Sequence, residues 1–488
     1  MKCGFKRWIS ILLCIAIISS MFTFTVSANA AETSGTCGEN LTWSFVSETG
    51  TLTISGTGDM DSFTPDSCPW YDCRTYITKV IINNGVTNIA SFAFYNCTSL
   101  TEANIPNSIE YIESFSFSGC SSLETLNIPE SVIYIGPAAF QRCSSLGRIT
   151  VDDHNSSYYS QGNCIIQKYD NSLVQGCKNS IIPQGVTVIG GYAFSGCTAL
   201  KEISIPEGIT VIGDRAFDEC SSLEIIHLPY SLEGIGYSAF FDCVSLKEIN
   251  IPDSVTEIYD NAFCCCKSLV SIYLPDSLTH INESTFKMCT SLTEIIIPKS
   301  VESIGSFAFE GCKSLTEINI PDSVTCIGYN VFAWCSSLTK IDFPNGLTTI
   351  DDYAFCGCTS LEVVHIPENV TNIGDYAFDR CDNLTKVYIP KSVNYIGEYP
   401  FLWSFNVTLI VYRDSYALQY AIDKNIPYEI IEDSFSGDLN GDGNLNISDF
   451  FAMKVCITLG SGDSDAFDIN GDGSVNITDL FALKRMLI

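Results

Sequence analysis

The sequence is poor in positive charge and in histidine, and these shortages exclude several classes of function. Among 488 residues, 25 are Lys or Arg and 56 are Asp or Glu, so the formal net charge is −31. A chain this acidic repels phosphate backbones and anionic membrane surfaces, which argues against nucleic acid and membranes as partners. The 4 histidines are scattered, and neither an H-E-x-x-H motif nor a G-x-S-x-G elbow is present. Without these motifs, the sequence gives no support to a zinc protease or a serine hydrolase.

Long hydrophobic runs are also scarce. The one run that is long enough to matter, Trp8 to Val26, follows a short basic stretch and precedes Ala28-Asn29-Ala30. This order is typical of a secretory signal peptide, and we predict residues 1–30 to be one, cleaved after Ala30. An uncleaved anchor is the alternative, because the run could just reach across a bilayer. We expect the mature protein to be secreted and extracellular, with no membrane partner.

A repeat of 23 residues fills most of the remaining chain. Each unit is close to I-P-x-S-V-T-x-I-G-x-x-A-F-x-x-C-x-S-L-x-x-I-x. A single unit buries too little apolar surface to offset its ordering entropy, so the units must stack into a solenoid. The thirteen units begin at Ile82, Ile105, Ile128, Ile182, Ile205, Leu228, Ile251, Leu274, Ile297, Ile320, Phe343, Ile366 and Ile389.

The L-x-x-I-x-I-P stretch that crosses each junction is a leucine-rich-repeat strand signature, with its alternate apolar residues pointing inward. One cysteine recurs at the same place in twelve units. A secreted chain this rich in cysteine could carry disulfides, and zinc would need C-x-x-C or histidine pairs that are absent. We favour a buried column of free thiols. The column comprises Cys97, Cys120, Cys143, Cys197, Cys220, Cys243, Cys266, Cys289, Cys312, Cys335, Cys358 and Cys381.

An irregular insertion interrupts the repeats at residues 151–181. Its segments Gly162 to Ile166 and Leu173 to Cys177 predict a β-hairpin. If Asp170 and Asn171 form a two-residue turn, Cys164 lies directly opposite Cys177. Opposed residues are close enough for a disulfide, which we state as a hypothesis.

The last fifty residues hold the same twelve-residue acidic loop twice, at 438–449 and 468–479. Loop positions 1, 3, 5, 7, 9 and 12 carry oxygen-bearing residues, and Gly443 and Gly473 occupy the sharp turn at position 6. Calcium needs six to eight such oxygens, so we predict two calcium ions. The ligands would be Asp438, Asn440, Asp442, Asn444 through its carbonyl, Asn446 and Asp449 in one loop, and Asp468, Asn470, Asp472, Ser474, Asn476 and Asp479 in the other.

Each loop runs into a helix-like segment, and the two segments match: Phe450 to Lys454 and Leu480 to Lys484. No amphipathic helix precedes either loop, and position 12 is Asp, unlike the EF-hand pattern. Residues 438–488 resemble a type I dockerin, a small all-α calcium-binding module that attaches cellulosome components to cohesin domains of a scaffoldin. The resemblance implies that the cohesin contacts are Ile447, Ser448, Lys454 and Val455, and their equivalents Ile477, Thr478, Lys484 and Arg485.

The repeat region, residues 82–411, resembles the BspA-like leucine-rich repeats of bacterial surface proteins. Residues 31–81 look like that family's β-rich N-terminal cap, and 412–432 like its closing unit. A short linker, 433–437, then leads to the dockerin. The expected fold class is therefore an α+β repeat protein, a leucine-rich-repeat solenoid joined to a dockerin. Family members are associated with adhesion and protein binding, which the resemblance implies here.

The cap, solenoid and dockerin leave no stretch long enough for a separate catalytic domain. We therefore expect a non-catalytic binding or adhesion subunit docked on a cellulosome, with a protein or cell-wall polysaccharide ligand. A protein-binding regulator or inhibitor is the alternative, and a polysaccharide-degrading glycoside hydrolase is a third. Aspartates such as Asp253, Asp276 and Asp322 recur at turn positions and suggest a solvated face. The outward strand positions are the expected ligand face, with His227, Tyr273, His365 and Tyr388 as its candidate contacts.

Overall fold

The computed structural model describes residues 32–431, together with 450, 451, 453 and 482–484. Two compact units divide between Ser160 and Gln161, inside the irregular insertion. The predicted signal peptide, the linker, all twelve calcium positions and every predicted cohesin contact except Lys484 lie outside the described residues.

The N-terminal region is an antiparallel three-stranded meander whose last strand begins the stack of repeats. Its strands are β1 (Glu32–Gly38), β2 (Leu41–Val46) and β3 (Thr51–Gly56), followed by a 3₁₀ helix at Tyr71–Tyr76. Leu52 of β3 is paired in parallel with Val80, the first step of the parallel ladder. The indole of Trp70 is buried, stacks on Phe94 at 5.8 Å and donates a 2.7 Å hydrogen bond to the Ala93 carbonyl. Trp43 of the meander packs edge-on against Trp70 at 5.8 Å, so the N-terminal region covers the end of the repeat core.

In each unit, the regular coils contribute strands of three or four residues to a first strand column, at the predicted L-x-x-I-x-I-P stretch. The exception is the coil at Glu294, which makes an isolated bridge between Ile296 and Asn319. The column consists of β4 (Lys79–Ile82), β6 (Glu102–Asn104), β8 (Thr125–Ile128), β10 (Arg148–Val151), β15 (Glu202–Ser204), β17 (Ile225–His227), β19 (Glu248–Asn250), β21 (Ser271–Tyr273), β24 (Glu317–Asn319), β26 (Lys340–Asp342), β28 (Val363–His365) and β30 (Lys386–Ile389).

A second strand column, built from two-residue strands at the V-T-x-I step, has no counterpart in the sequence expectations. Its β-branched residues suit an extended backbone, but two residues are too few to produce a visible period. The column consists of β5 (Asn88–Ile89), β7 (Tyr111–Ile112), β9 (Tyr134–Ile135), β14 (Val188–Ile189), β16 (Val211–Ile212), β18 (Gly234–Ile235), β20 (Glu257–Ile258), β22 (His280–Ile281), β23 (Ser303–Ile304), β25 (Cys326–Ile327), β27 (Thr349–Ile350), β29 (Asn372–Ile373) and β31 (Tyr395–Ile396).

Strands of neighbouring coils pair in parallel with a register of 23 residues, as Glu202 does with Ile225 and Val211 with Gly234. This register places identical repeat positions on top of one another. The inward strand residue, such as Ile203 or Ile226, is buried, and its two neighbours are exposed. The predicted solenoid, its strands and its inward residues are confirmed.

The A-F position of the repeat forms a ladder of stacked phenylalanines inside the coils. In the second unit, rings 5.0 to 5.8 Å apart run from Phe194 to Phe401, and neighbours such as Phe217 and Phe240 are nearly parallel at 2°. In the first unit, Phe117 stacks on Phe140 at 5.5 Å. Burial of each ring stabilises its coil by roughly 2 kcal/mol or more, because a large apolar surface leaves water.

The twelve repeat cysteines are buried, as predicted, and the structure shows what the thiols of ten of them do. Ten of them donate a hydrogen bond of 3.1 to 3.3 Å to the carbonyl of the phenylalanine 26 residues earlier, for example Cys243 to Phe217. At the end of the column Ser404 takes the same place and donates to Phe378 at 2.8 Å. Burial raises the pKa of these thiols, for example that of Cys335 to about 12, so they stay protonated donors. The cysteine column is a ladder of thiol-to-carbonyl bonds.

The insertion forms the predicted hairpin, but the predicted turn and disulfide are wrong. After β11 (Tyr158–Gln161), the hairpin strands are β12 (Cys164–Gln167) and β13 (Ser172–Gln175). Four residues connect them, and Ile165 faces Gln175, with a bulge at the next pair. The register therefore differs from the expected one by one residue at Ile165 and by two at Ile166, and Cys164 and Cys177 are both free. Strand β13 then pairs in parallel with β14, so the hairpin supplies the place of a regular coil.

The chain closes the solenoid with a strand, a helix and a strand: β32 (Thr408–Tyr412), α1 (Tyr416–Lys424) and β33 (Tyr428–Ile431). The Ser415 hydroxyl accepts a hydrogen bond from the Leu418 N–H at 3.1 Å, which caps the first turn of α1. Asn425 ends it in the left-handed conformation at φ 55°. Because β33 pairs with β32, this closing segment continues the first strand column to its end.

Candidate functional site

In each of the two units, the outward side chains of the first strand column form an exposed surface, which we call the strand face. Along the two predicted outward rows, from Glu102 to Lys386 and from Asn104 to Tyr388, no side chain is buried. His227, Tyr273 and His365 are exposed, and Tyr388 is half-buried. The alternation of the strand causes this arrangement, because successive side chains point to opposite faces.

His365 and Tyr388 form one pair on this face. They are register partners on β28 and β30, and their rings stack at 4.1 Å with an interplanar angle of 11°. The pair lines a depression of about 760 Å³ together with Lys340, Asp342 and Tyr412. An imidazole and a phenol in the lining of this depression offer both ring surface and polar atoms to a ligand.

His227 and Tyr273 form a second pair, two coils apart, with Asn250 on the strand between them. Both line a depression of about 520 Å³. The Nε2 atom of His227 lies 3.8 Å from the Glu202 carboxylate, and Tyr273 keeps 51% of its surface exposed. An open tyrosine beside an amide, with a histidine one strand further along, can bind by stacking and by hydrogen bonds at once.

The structure does not bring the four predicted contacts into one cluster. Between Tyr273 and His365 the same row carries Ile296, Asn319 and Asp342, which line a further depression of about 510 Å³. Ile296 is 79% exposed, the largest such value for an aliphatic residue on the strand face. The sequence signal for this residue was present, since an isoleucine stands where most coils have a polar residue. We therefore add Ile296 to the candidate contacts.

The two lysines in the outward rows of the strand face are paired with carboxylates. Lys340 contacts Asp342 at 2.7 Å and Lys386 contacts Glu429 at 3.2 Å, and just outside the rows Lys247 contacts Glu224 at 2.8 Å. The hydrogen bond from Lys247 lowers the pKa of the Glu224 carboxyl, so this pair stays ionised in weakly acidic solution. With its lysines held by carboxylates, the face suits polar and aromatic contacts with a ligand better than it suits a polyanion.

The side chains on the strand face do not form a recognisable catalytic set. The aspartates Asp253, Asp276 and Asp322 are exposed, in agreement with the predicted solvated face. One described group, Glu130, Asp152 and His154, could hold a metal ion, and all three side chains are exposed. Glycoside hydrolysis needs two carboxylates at fixed separation across a cleft, with one of them held protonated. The carboxylates of the strand face are instead open to solvent or paired with lysine.

The described residues of the C-terminal module are helical in both copies of the duplication. Met453 and Leu483, which occupy equivalent positions thirty residues apart, are both buried, and Lys484 is exposed. The twelve calcium positions and the other cohesin positions lie outside the described residues. Their donor set of carboxylates, amides, a hydroxyl and a carbonyl is all oxygen, the ligand chemistry that calcium requires.

Comparison with known families agrees with both halves of this description. The model of the BspA type leucine-rich repeat region, which spans six copies of the repeat, matches residues 68–172, 166–293 and 279–408. These matches cover more than half of the chain, and the protein belongs to this family. The type I dockerin model matches residues 436–488, so the chain also carries a dockerin domain. Type I dockerin domains bind calcium and imply a cohesin partner and an extracellular cellulosome association.

Several solved bacterial structures are similar to this chain. A leucine-rich repeat protein from Eubacterium ventriosum is 20% identical, with a TM-score of 0.48 over 72% of this chain and 95% of the other. One from Bacteroides ovatus is 26% identical, with a TM-score of 0.47 over 81% and 99%. A leucine-rich cell surface protein from Faecalibacterium prausnitzii is 26% identical, with a TM-score of 0.43 over 81% and 98%.

No curated protein matches the chain. In the described part of the chain, none of the helices combines the length and the hydropathy of a membrane span.

Proposed function

We propose that this protein is a secreted, non-catalytic binding subunit that docks onto a cohesin of a cellulosome scaffoldin. The duplicated acidic loop carries this proposal. Two copies with the same spacing of oxygen donors, the same position-6 glycine and the same terminal aspartate would bind two calcium ions. The signal peptide at residues 1–30 would export the chain, and the strand face would bind the ligand. The ligand is a protein or a cell-wall polysaccharide.

Calcium would fold the docking module because like charges in the empty loops repel one another. Each loop would hold one ion with its six predicted ligands, from Asp438 to Asp449 and from Asp468 to Asp479. The surface that meets the cohesin would be Ile447, Ser448, Lys454 and Val455 in one copy and Ile477, Thr478, Lys484 and Arg485 in the other. The near two-fold symmetry would allow two orientations, although Val455 and Arg485 differ.

A binding assay on immobilised type I cohesins tests the docking half of the proposal. The full-length mature chain should be retained in calcium and released by a chelator. Asp438→Ala with Asp468→Ala should abolish retention, because each removes the first ligand of its loop. The matched control, Asp253→Ala with Asp276→Ala, removes two exposed aspartates of the repeats and should change nothing. Retention of the loop variant in calcium would exclude the proposed mode of docking.

Substitution of one copy at a time tests the two orientations. Ser448→Ala with Lys454→Ala should leave a cohesin bound through the second copy, and Thr478→Ala with Lys484→Ala should leave it bound through the first. If binding depends equally on both copies, a single orientation that uses both of them at once is correct instead.

Ligand capture with the full-length chain tests the strand face. The chain should bind either insoluble cell-wall polysaccharide or a defined secreted protein, and His365→Ala with Tyr388→Ala should weaken that binding at least tenfold, or ~1.4 kcal/mol. The matched control is Tyr353→Ala with Tyr376→Ala, since this tyrosine pair stacks at 4.9 Å and 13° but lies at the A-F turn of the coils. Equal loss in both variants would place the ligand elsewhere.

A further inference from the structure

One turn of the second unit carries three consecutive cysteines, Cys264, Cys265 and Cys266, and only the last belongs to the buried column. The thiol of Cys266 donates to the Phe240 carbonyl at 3.2 Å, like its equivalents in the other coils. The thiols of Cys264 and Cys265 are instead directed at each other. Their Sγ atoms lie 3.7 Å apart, within contact distance.

The backbone of this turn holds the two thiols together. Cys265 has a left-handed conformation at φ 64°, the same as the residue at this place in the other coils. Its N–H donates to the Lys287 carbonyl at 2.7 Å, and the Cys264 carbonyl accepts from the Asp242 N–H at 2.9 Å. Both neighbouring coils therefore fix the backbone of the turn, and this backbone keeps the two cysteine side chains next to each other.

The surroundings favour reaction at Cys265. Its side chain is half-exposed, whereas that of Cys264 is buried. The hydrogen bond from the Cys264 thiol, helped by the charges of Lys267 and Lys287, lowers the pKa of Cys265 to about 7, and the same bond raises the pKa of Cys264. A reactive cysteine needs a thiolate, an access route and a resolving partner, and this turn offers all three.

We propose that Cys264 and Cys265 form a redox-active dithiol that exchanges with disulfides and closes to a vicinal disulfide. The Cys265 thiolate attacks a sulfur of a disulfide R–S–S–R, forms a mixed disulfide and releases the thiolate R–S⁻. The Cys264 sulfur then attacks the Cys265 sulfur and releases the second R–S⁻, which takes up the Cys264 proton. The two cysteines lose two electrons, and the R–S–S–R disulfide is reduced to two thiols.

The bond would be easily reversed. Adjacent Cα atoms are only ~3.8 Å apart, shorter than the ~4.4 to 6.8 Å usual across a disulfide. Strain of this kind makes a disulfide more readily reduced, so the pair is suited to cycling and not to permanent stabilisation.

The chain contains a matched control for this site. Cys356 occupies the same turn position as Cys264, but Gly357 stands where Cys265 would be. Its thiol lies 3.7 Å from the Asp379 carboxylate, and burial, with that charge, raises the pKa of Cys356 to about 11. We expect Cys356 to stay unmodified. Cys326 is exposed but has no adjacent cysteine, so it should keep any adduct that it forms.

Treatment of the reduced, folded, full-length chain with dithiobis(nitrobenzoate), followed by tryptic mass spectrometry, tests the proposal. Peptide 248–267 should become about 2 Da lighter and keep no nitrobenzoate, with a bond between Cys264 and Cys265 and about two equivalents of thionitrobenzoate released there. In Cys264→Ser the same peptide should retain one nitrobenzoate on Cys265. Dithiothreitol should reverse both products.

The wild-type result alone decides the proposal, even if a variant folds poorly. An adduct that stays on Cys265 in the wild-type chain would show that no resolving step exists. An unmodified peptide 248–267 beside a labelled Cys326 would show that the pair is not reactive. Either result would overturn the proposal.

Discussion

The repeat coils and the C-terminal dockerin both consist of units too short to fold alone, but different interactions complete them. A coil is completed by the next coil, through stacked phenylalanines, thiol-to-carbonyl bonds such as Cys312 to Phe286, and parallel strands. A dockerin loop concentrates carboxylates that a neighbour of the same kind cannot neutralise, so it needs a cation. The difference suggests that stability resides in the repeats, and that calcium controls only the attachment.

Removal of calcium tests this difference between the dockerin and the solenoid and should have the largest effect. With a chelator, the dockerin should lose its folded transition, while the main transition of the solenoid should stay within about 1 °C, since the stacking and hydrogen bonds described for the repeats involve no ion. Differential scanning calorimetry of the full-length chain, with and without calcium, measures both. If the main transition shifted strongly instead, the repeats would themselves depend on calcium.

Truncation of a stacked phenylalanine should have the next largest effect. It should destabilise the solenoid and leave the dockerin unaffected. Phe263→Ala removes a buried ring between Phe240 and Phe286 and should destabilise the solenoid by ~3 to 5 kcal/mol. Cohesin binding should be unchanged. Chemical denaturation and the cohesin assay provide the two readouts, and Tyr273→Ala on the strand face is the control that should cost less than ~0.5 kcal/mol.

Loss of one thiol from the buried column should have a smaller effect. Cys289→Ala leaves the Phe263 carbonyl without its 3.2 Å donor and opens a small cavity, at a cost of ~1 to 2 kcal/mol. Cys326→Ala, which removes an exposed thiol, should leave the stability unchanged. Equal stabilities for these two variants would mean that the Cys289 thiol contributes neither its hydrogen bond nor measurable packing.

The smallest effect should come from Asp379, a buried carboxylate whose Oδ1 atom has no hydrogen-bond partner among the described residues. Burial raises the pKa of this carboxyl, so the folded chain holds the proton more tightly than the unfolded chain. Stability should therefore fall as pH rises from the unfolded pKa through the higher folded pKa. Asp379→Asn should be more stable than the wild type at neutral pH and equal to it below both pKa values.

Thermal unfolding of the solenoid transition at acidic and neutral pH checks this sign. Asp382→Asn, at an exposed site three residues further along, is the control and should leave the pH dependence unchanged. A constant difference between Asp379→Asn and the wild type at all pH values would point to packing rather than ionisation.

The features that could be predicted from the sequence are those that repeat with a visible period. The inward Ile203, the exposed His227 and the buried Cys243 all follow from their place in the 23-residue pattern. The second strand column could not be predicted in this way, because a strand of two residues, such as Val211 and Ile212, shows no period of its own.

Features that depend on backbone geometry could not be predicted from the sequence either. The thiol acceptors are carbonyls, which every residue has, so nothing in the pattern marks Phe217 as the partner of Cys243. In the insertion, a four-residue connection and a bulge moved the register by one residue at Ile165 and by two at Ile166, which no composition rule reveals. The spread of the strand-face contacts over separate depressions likewise depends on the intervening Ile296 coil.

The central claim is that a calcium-folded dockerin attaches a calcium-independent solenoid to a cohesin. Titration of the full-length chain with a type I cohesin, in calcium and in excess chelator, tests it most directly when the solenoid transition is recorded in the same two buffers. The account predicts binding in calcium, at least 100-fold weaker binding, or ~2.7 kcal/mol, in chelator, and the same solenoid transition in both. Equal cohesin affinity in both buffers, or no binding to any type I cohesin in calcium, would contradict it.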